Sequence, residues 1–230
     1  MNMKKKILAV LLAVITVASL AVPAMAANIV GNFYPIWINS TQITDGNKLD
    51  VLRDGGSIKF DPETYTLTLT DATVKATGLR NSGITVGTSL EAPVEKLNIE
   101  LVGDSYVYGN ANSSTALNMV CAGLNCYYCK EVNFCGDGKV TFTGYENSTY
   151  TPAGIYGNNT TTVNVESGTV RIVGKNFKYY QFSDDCAVAE NSDGFTVTHK
   201  TFAILSFFKE LAQAIGNFFI SIGKFFKNLF

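Results

Sequence analysis

The sequence predicts an all-β fold, a parallel β-solenoid of short strands, followed by a C-terminal amphipathic α-helix. Three observations predict it. One side-chain pattern recurs roughly every 30 to 35 residues, apolar and polar residues alternate within each copy, and after Lys200 the alternation gives way to a helical period. The composition agrees: Thr, Val, Tyr, Asn and Gly are plentiful, with one Trp and one His in 230 residues.

The chain opens with Lys4, Lys5 and Lys6, an apolar run from Ile7 to Val22, then Pro23 and the small-x-small triplet Ala24, Met25, Ala26. A basic start, an apolar centre and an AxA-like end predict a secretory signal peptide over residues 1–26, so the remainder is expected to be secreted, with a cell-surface or membrane association open. The 18 basic and 19 acidic residues give a net charge of −1, and losing the three leader lysines makes the rest more acidic. That balance excludes a nucleic-acid-binding patch. A single β-solenoid domain is expected over residues 28–200.

The stretch "FDPETYTLTLTDATVKATG" (60–78) reads as the opening rung: a DPET turn, then Leu67 and Leu69 alternating with Thr66, Thr68 and Thr70. Three copies of one pattern come after it. The clearest are "AGLNCYYCKEVNFCGDGKVTFTG" (122–144) and "AGIYGNNTTTVNVESGTVRIVG" (153–174). Superposed, they align Ala122-Gly123 with Ala153-Gly154, Val132-Asn133 with Val163-Asn164, and Val140 and Phe142 with Val170 and Ile172, with one extra residue in the upstream copy. A weaker copy precedes them as "SGITV", "LNIELVG" and "SYVYG". Period-two alternation implies half-buried strands, and "GDG" and "ESG" supply the turns. One such coil cannot bury its inward face alone, so stacking on its neighbours is what folds it. An antiparallel β-sandwich also has short, evenly spaced strands, but it gives no reason for the side-chain pattern to recur.

After Lys200 the apolar residues Phe207, Phe208, Leu211, Ile215, Phe218, Phe219, Ile222, Phe225, Phe226 and Leu229 follow an i, i+3, i+4, i+7 spacing, opposite Lys209, Glu210, Gln213, Asn217, Lys224 and Lys227. Residues 201–230 are therefore expected to form an amphipathic helix. These apolar side chains are its expected membrane-contacting set, because phenylalanines beside a net positive charge suit an anionic membrane surface. Capping of the solenoid's open end, or pairing with another chain's helix, are the alternatives.

Taken together, "FDPETYTLTLTDATV", "LNIELVGDSYVYG" and the GIY, VNV and GTVRIVG elements of the last copy resemble the repeat-bearing extracellular proteins of gut Firmicutes, described as carbohydrate-binding-domain-like or parallel β-helix proteins. The resemblance spans roughly residues 30 to 175. It implies a secreted or cell-surface β-solenoid that binds glycan, and it transfers no catalytic residue.

Cys121, Cys126, Cys129 and Cys135 crowd together, and Cys186 stands alone. One CxxC without a second does not complete a zinc knuckle pair, and the strand-like flanks do not suit a thioredoxin motif. Buried free thiols and one or two disulfides both remain open from spacing. The anaerobic habitat that the resemblance implies favours free thiols.

The sequence nominates no catalytic residue, no metal site and no cofactor. The acids Asp71, Glu100, Asp104, Glu131, Asp137 and Glu166 are scattered over the repeats, with Asp104 and Asp137 read as turn residues beside glycine; His199 is the sole histidine, and no GxSxG occurs. Tyr106, Tyr108, Tyr127, Tyr128 and Tyr156 offer flat faces to sugar rings, with Asn and Asp for hydroxyls, as Tyr145 and Tyr150 also do. The expected function is a non-catalytic binding or adhesion module whose partner is carbohydrate or a cell-wall polymer, with membrane contact or self-association through the helix. A polysaccharide-active lyase or glycosidase, and a structural protein with a membrane-active helix, are the alternatives.

Overall fold

The computed structural model describes residues 31–77, 82–109, 121–144, 153–174 and 180–227. The expected signal peptide, Tyr145, Tyr150 and Leu229 lie outside them, as do the side chains of Phe225 and Phe226. The fold is all-β with one C-terminal helix.

The first segment forms two antiparallel hairpins, β1 (Phe33–Ile38) with β2 (Thr41–Thr44) and β3 (Ile58–Asp61) with β4 (Thr66–Thr70), and then β5 (Thr73–Lys75). The three copies of the repeat come next as β6 (Ile84–Val86), β7 (Val94–Val102) and β8 (Asp104–Tyr108); β9 (Ala122–Asn125), β10 (Cys129–Gly136) and β11 (Lys139–Thr143); and β12 (Ala153–Tyr156), β13 (Thr162–Val165) and β14 (Thr169–Val173). The short β15 (Gln181–Phe182), a hairpin of β16 (Cys186–Asn191) and β17 (Gly194–His199), and helix α1 (Lys200–Lys227) complete the chain.

Each copy contributes one strand to each of three sheets. The first sheet runs β12-β9-β6-β1-β2, the second β15-β13-β10-β7-β4-β3 and the third β16-β17-β14-β11-β8-β5. Equivalent strands of successive copies pair in parallel, and the register is the one read from the repeat: Ala122 opposite Ala153, Val132 opposite Val163, Val140 opposite Val170. The sheets are nevertheless mixed. Where the chain enters and leaves the ladders it does so through hairpins, so β1, β3 and the β16–β17 pair are antiparallel to their neighbours.

The alternation predicted for each strand is its inside and outside. Leu67, Ile99, Phe134 and Val165 stack in register on the inward side of the second sheet, Val74, Val107, Phe142 and Ile172 on that of the third, and Ile84, Leu124 and Ile155 on that of the first. All are at most 2 % exposed. The rings of Phe134 and Phe142 meet across the core at 5.7 Å.

The recurring small-Gly pair has a physical cause. A Cβ on Gly123 would lie 2.8 Å from the Val107 carbonyl oxygen and 2.9 Å from the Thr143 nitrogen, so the first sheet reaches the backbone of the third only through glycine. At the other corner Gly136 takes φ 93° and its Cβ would lie 2.3 Å from the Leu101 oxygen, so the turn from β10 into β11 also requires glycine.

The last strand is continuous with the helix. His199, half-buried, accepts the Thr201 N–H on Nδ1 at 3.2 Å, and the Lys200 N–H donates to the Asp185 carbonyl at 2.8 Å. Thus α1 leaves β17 without a linker, held to the β16–β17 hairpin by its first turn.

Candidate functional site

The outward positions of the strands fix what each face can present. On the third sheet, Asp104, Tyr106 and Tyr108 point outward from β8 while Ser105 and Val107 point inward. Asp104, expected in a turn, in fact opens this strand, and its N–H donates to Asp71 Oδ1 at 2.9 Å. The ladder sets Tyr106 in one row with Thr73, Thr141 and Arg171, and Tyr108 in the next with Lys75, Thr143 and Val173. Asp104, Lys139 and Thr169 make a third row. Tyr106 is 39 % exposed at the centre of this array. Strands about 4.8 Å apart thus hold a phenol ring, hydroxyls and cations on one extended surface.

The other three tyrosines lie elsewhere. Tyr127 and Tyr156 stack with centroids 5.4 Å apart and planes inclined by 13°, and Tyr128 meets Tyr127 edge-on at 5.1 Å. This cluster sits where the first sheet passes into the second. The Asn158 side-chain amide donates to the Tyr127 carbonyl, and Tyr127 N–H donates to Asn125 Oδ1 at 3.2 Å. The five tyrosines are therefore two groups, one on the third sheet and one at the corner between the first and second, and in the second group the facing sides of Tyr127 and Tyr156 are spent on each other.

The outer face of the second sheet carries a feature beyond the residues that the sequence nominates. Asn98, Asn133 and Asn164 share one ladder position, and each amide donates to the one before it: Asn164 to Asn133 Oδ1 at 3.0 Å, Asn133 to Asn98 Oδ1 at 3.2 Å, and Asn98 to the Thr64 carbonyl at 3.0 Å. Ser183 closes the row by donating to Asn164 Oδ1 at 2.6 Å. Its signal is present in the repeat as apolar-Asn at 97–98, 132–133 and 163–164. Beside it, Lys96 pairs with Glu131 at 2.9 Å and Lys130 with Glu95 at 2.8 Å, and the first contact raises the Lys96 ammonium pKa. Such exposed pairs contribute about 0–1 kcal/mol each. On the third sheet Arg171 holds both oxygens of Asp193 at 2.7 Å, tying the turn of the β16–β17 hairpin to β14.

No family model, no curated protein and no solved structure matches the chain.

Cys126, Cys129, Cys135 and Cys186 are free thiols. Cys121, Cys126, Cys129 and Cys186 are buried, and Cys135 is partly exposed. Burial pushes the Cys129 thiol up to about 12 and raises Cys126 well above its ordinary value, so both behave as small core groups rather than nucleophiles. Among the described residues no three His, Cys, Asp or Glu side chains gather as a metal site would require.

Helix α1 presents its apolar stripe to solvent. Phe207, Phe208, Leu211, Ile215, Phe218 and Phe219 are all exposed, the last two by 62 % and 65 %, while Ile222 is half-buried. These described side chains are thus not buried against the sheets, the third of which ends on this side in β16, paired with β17. No helix among the described residues is long and apolar enough to cross a membrane.

Proposed function

We propose that the chain is an exported β-solenoid that acts as a non-catalytic surface module, binding carbohydrate through its outer faces and meeting a membrane or envelope surface through its C-terminal helix. The solenoid reading is supported by the parallel, in-register pairing of equivalent strands in successive copies, each copy supplying one strand to each sheet. The motif resemblance to extracellular glycan-binding repeat proteins points the same way.

The observation that carries the carbohydrate reading is the third sheet's outer surface. Tyr106 lies there among Thr73, Thr141, Tyr108, Thr143, Lys75 and Lys139, a flat aromatic face surrounded by hydroxyl and ammonium groups. Sugars are recognised by that combination, ring against ring face and hydroxyl against polar side chain.

The test is a pull-down of residues 27–230 on insoluble plant and cell-wall polysaccharides, with the supernatant assayed for released sugar. Retention without release is expected, and Tyr106→Ala with Tyr108→Ala is expected to lower retention at least tenfold. Release of sugar would replace the binding module by a polysaccharide-active enzyme. Retention unchanged in the double variant would remove this face from the site.

A further inference from the structure

The uncovered stripe of α1 gives the proposed envelope contact a specific form, and its assignment rests on that functional reading. The helix carries three phenylalanine pairs, at 207–208, 218–219 and 225–226. The first step is 11 residues and the second 7. Relative to a straight helix, a 7-residue step drifts by about 20° in one sense and an 11-residue step by about as much in the other. Over the 18 residues the two cancel, since 18 residues are five turns. The pairs at 207 and 225 therefore fall at the same azimuth of a straight helix and the pair at 218 about 20° from it, along roughly 27 Å of axis.

The stripe as a whole, Ile204, Phe208, Leu211, Ile215, Phe218, Ile222 and Phe225, also keeps the alternating steps of four and three that a heptad seam has, so the choice between a flat surface and a second helix rests on what lies beside it. The flanks favour the surface. Where a coiled coil carries charges beside its seam, this helix has Phe207, Ala212, Ala214 and Phe219. Its charges are Lys200, Lys209, Glu210, Lys224 and Lys227, a surplus of three positive. That surplus attracts an anionic surface and repels a second copy lying alongside. The exposed apolar side chains have no cover within the described chain, and the helix does not qualify as a span.

We propose that α1 is an in-plane anchor for an anionic lipid bilayer, lying parallel to the surface with its phenylalanine pairs at one depth among the acyl chains and its lysines at the headgroups.

Residues 27–230 are mixed with vesicles of phosphatidylcholine alone or with one quarter phosphatidylglycerol. Tighter binding to the anionic vesicles by at least tenfold is expected, falling at least tenfold in Phe218→Ser with Phe219→Ser. Tryptophans placed singly as Phe207→Trp, Phe218→Trp and Phe225→Trp, each in a Trp37→Phe background, are expected to be quenched by brominated lipid to the same depth. Depth that increases steadily along the helix would mean end-on insertion and would overturn the proposal. Equal affinity for neutral and anionic vesicles would overturn its electrostatic half. No vesicle binding, together with a concentration-dependent oligomer in light scattering, would assign the stripe to a second copy instead. Glycan retention by the same tail variants reads the body separately: its failure with lipid binding intact would strike the carbohydrate reading and leave the anchor standing.

Discussion

At the scale of single residues, the chain's first described strand is secured by one carboxylate. Asp45 accepts the Tyr34 hydroxyl at 2.8 Å, the Asn32 N–H at 2.8 Å and the Lys48 ammonium at 3.0 Å, which together hold its pKa at about 2 against an ordinary 3.8. A carboxylate depressed in the folded state stabilises it above the unfolded value and loses that contribution as pH falls from near 4 towards 2. Thermal melts are therefore expected to drop more steeply over that window for the native chain than for Asp45→Asn. Equal slopes would mean that the network survives protonation. The buried thiols make a second expectation. With burial holding the Cys129 thiol at about 12 and raising Cys126 well above its ordinary value, a thiol reagent at pH 8 should leave both unmodified until the chain unfolds, while the half-exposed Cys135 reacts sooner. Rapid labelling of Cys129 in the folded protein would contradict its burial.

At the scale of elements, the asparagine row on the second sheet is the most sensitive polar structure. Asn133 is 3 % exposed and both receives and donates within the row. Replacing it with alanine leaves Asn98 Oδ1 and the Asn164 amide without that partner, at a cost of about 1–3 kcal/mol. Urea denaturation of Asn133→Ala against Asn164→Ala reads this, the interior position being expected to cost more. Much of the strand layout was legible in the sequence, because Leu67, Leu69, Val163 and Val165 alternate strictly with polar residues and the repeat itself states which residues lie opposite. Strand direction at the ends was not legible: "GFTVTH" alternates equally well beside β14 in either sense, and only the tight "NSDG" turn, pinned by Arg171 to Asp193, makes β17 antiparallel. The grouping of the tyrosines was hidden for a related reason. Side-chain period tells inside from outside, but not which sheet a segment joins after a corner, so Tyr108 and Tyr127 are near in sequence yet belong to different faces.

At the scale of the whole molecule, the body and the helix are energetically distinct. The inward stacks of Leu, Ile, Val and Phe run through all three sheets, whereas α1, among the described residues, meets the body mainly at β16, β17 and the turn that precedes β16. Deleting residues 201–230 is thus expected to shift the body's melting temperature by less than about 2 °C. A larger fall would show that the helix covers part of the core. The junction between them has a mechanical meaning. Since α1 continues from β17 with no slack, drag on a body tethered by its helix would pass first into β17, whose four register pairs with β14, Val170 to Val173 against Val197 to Gly194, lie side by side along the strand. Tension along that axis loads the whole ladder at once, while tension across it parts one pair at a time. The direction of pull, set by how the helix lies, would decide how long the protein holds on.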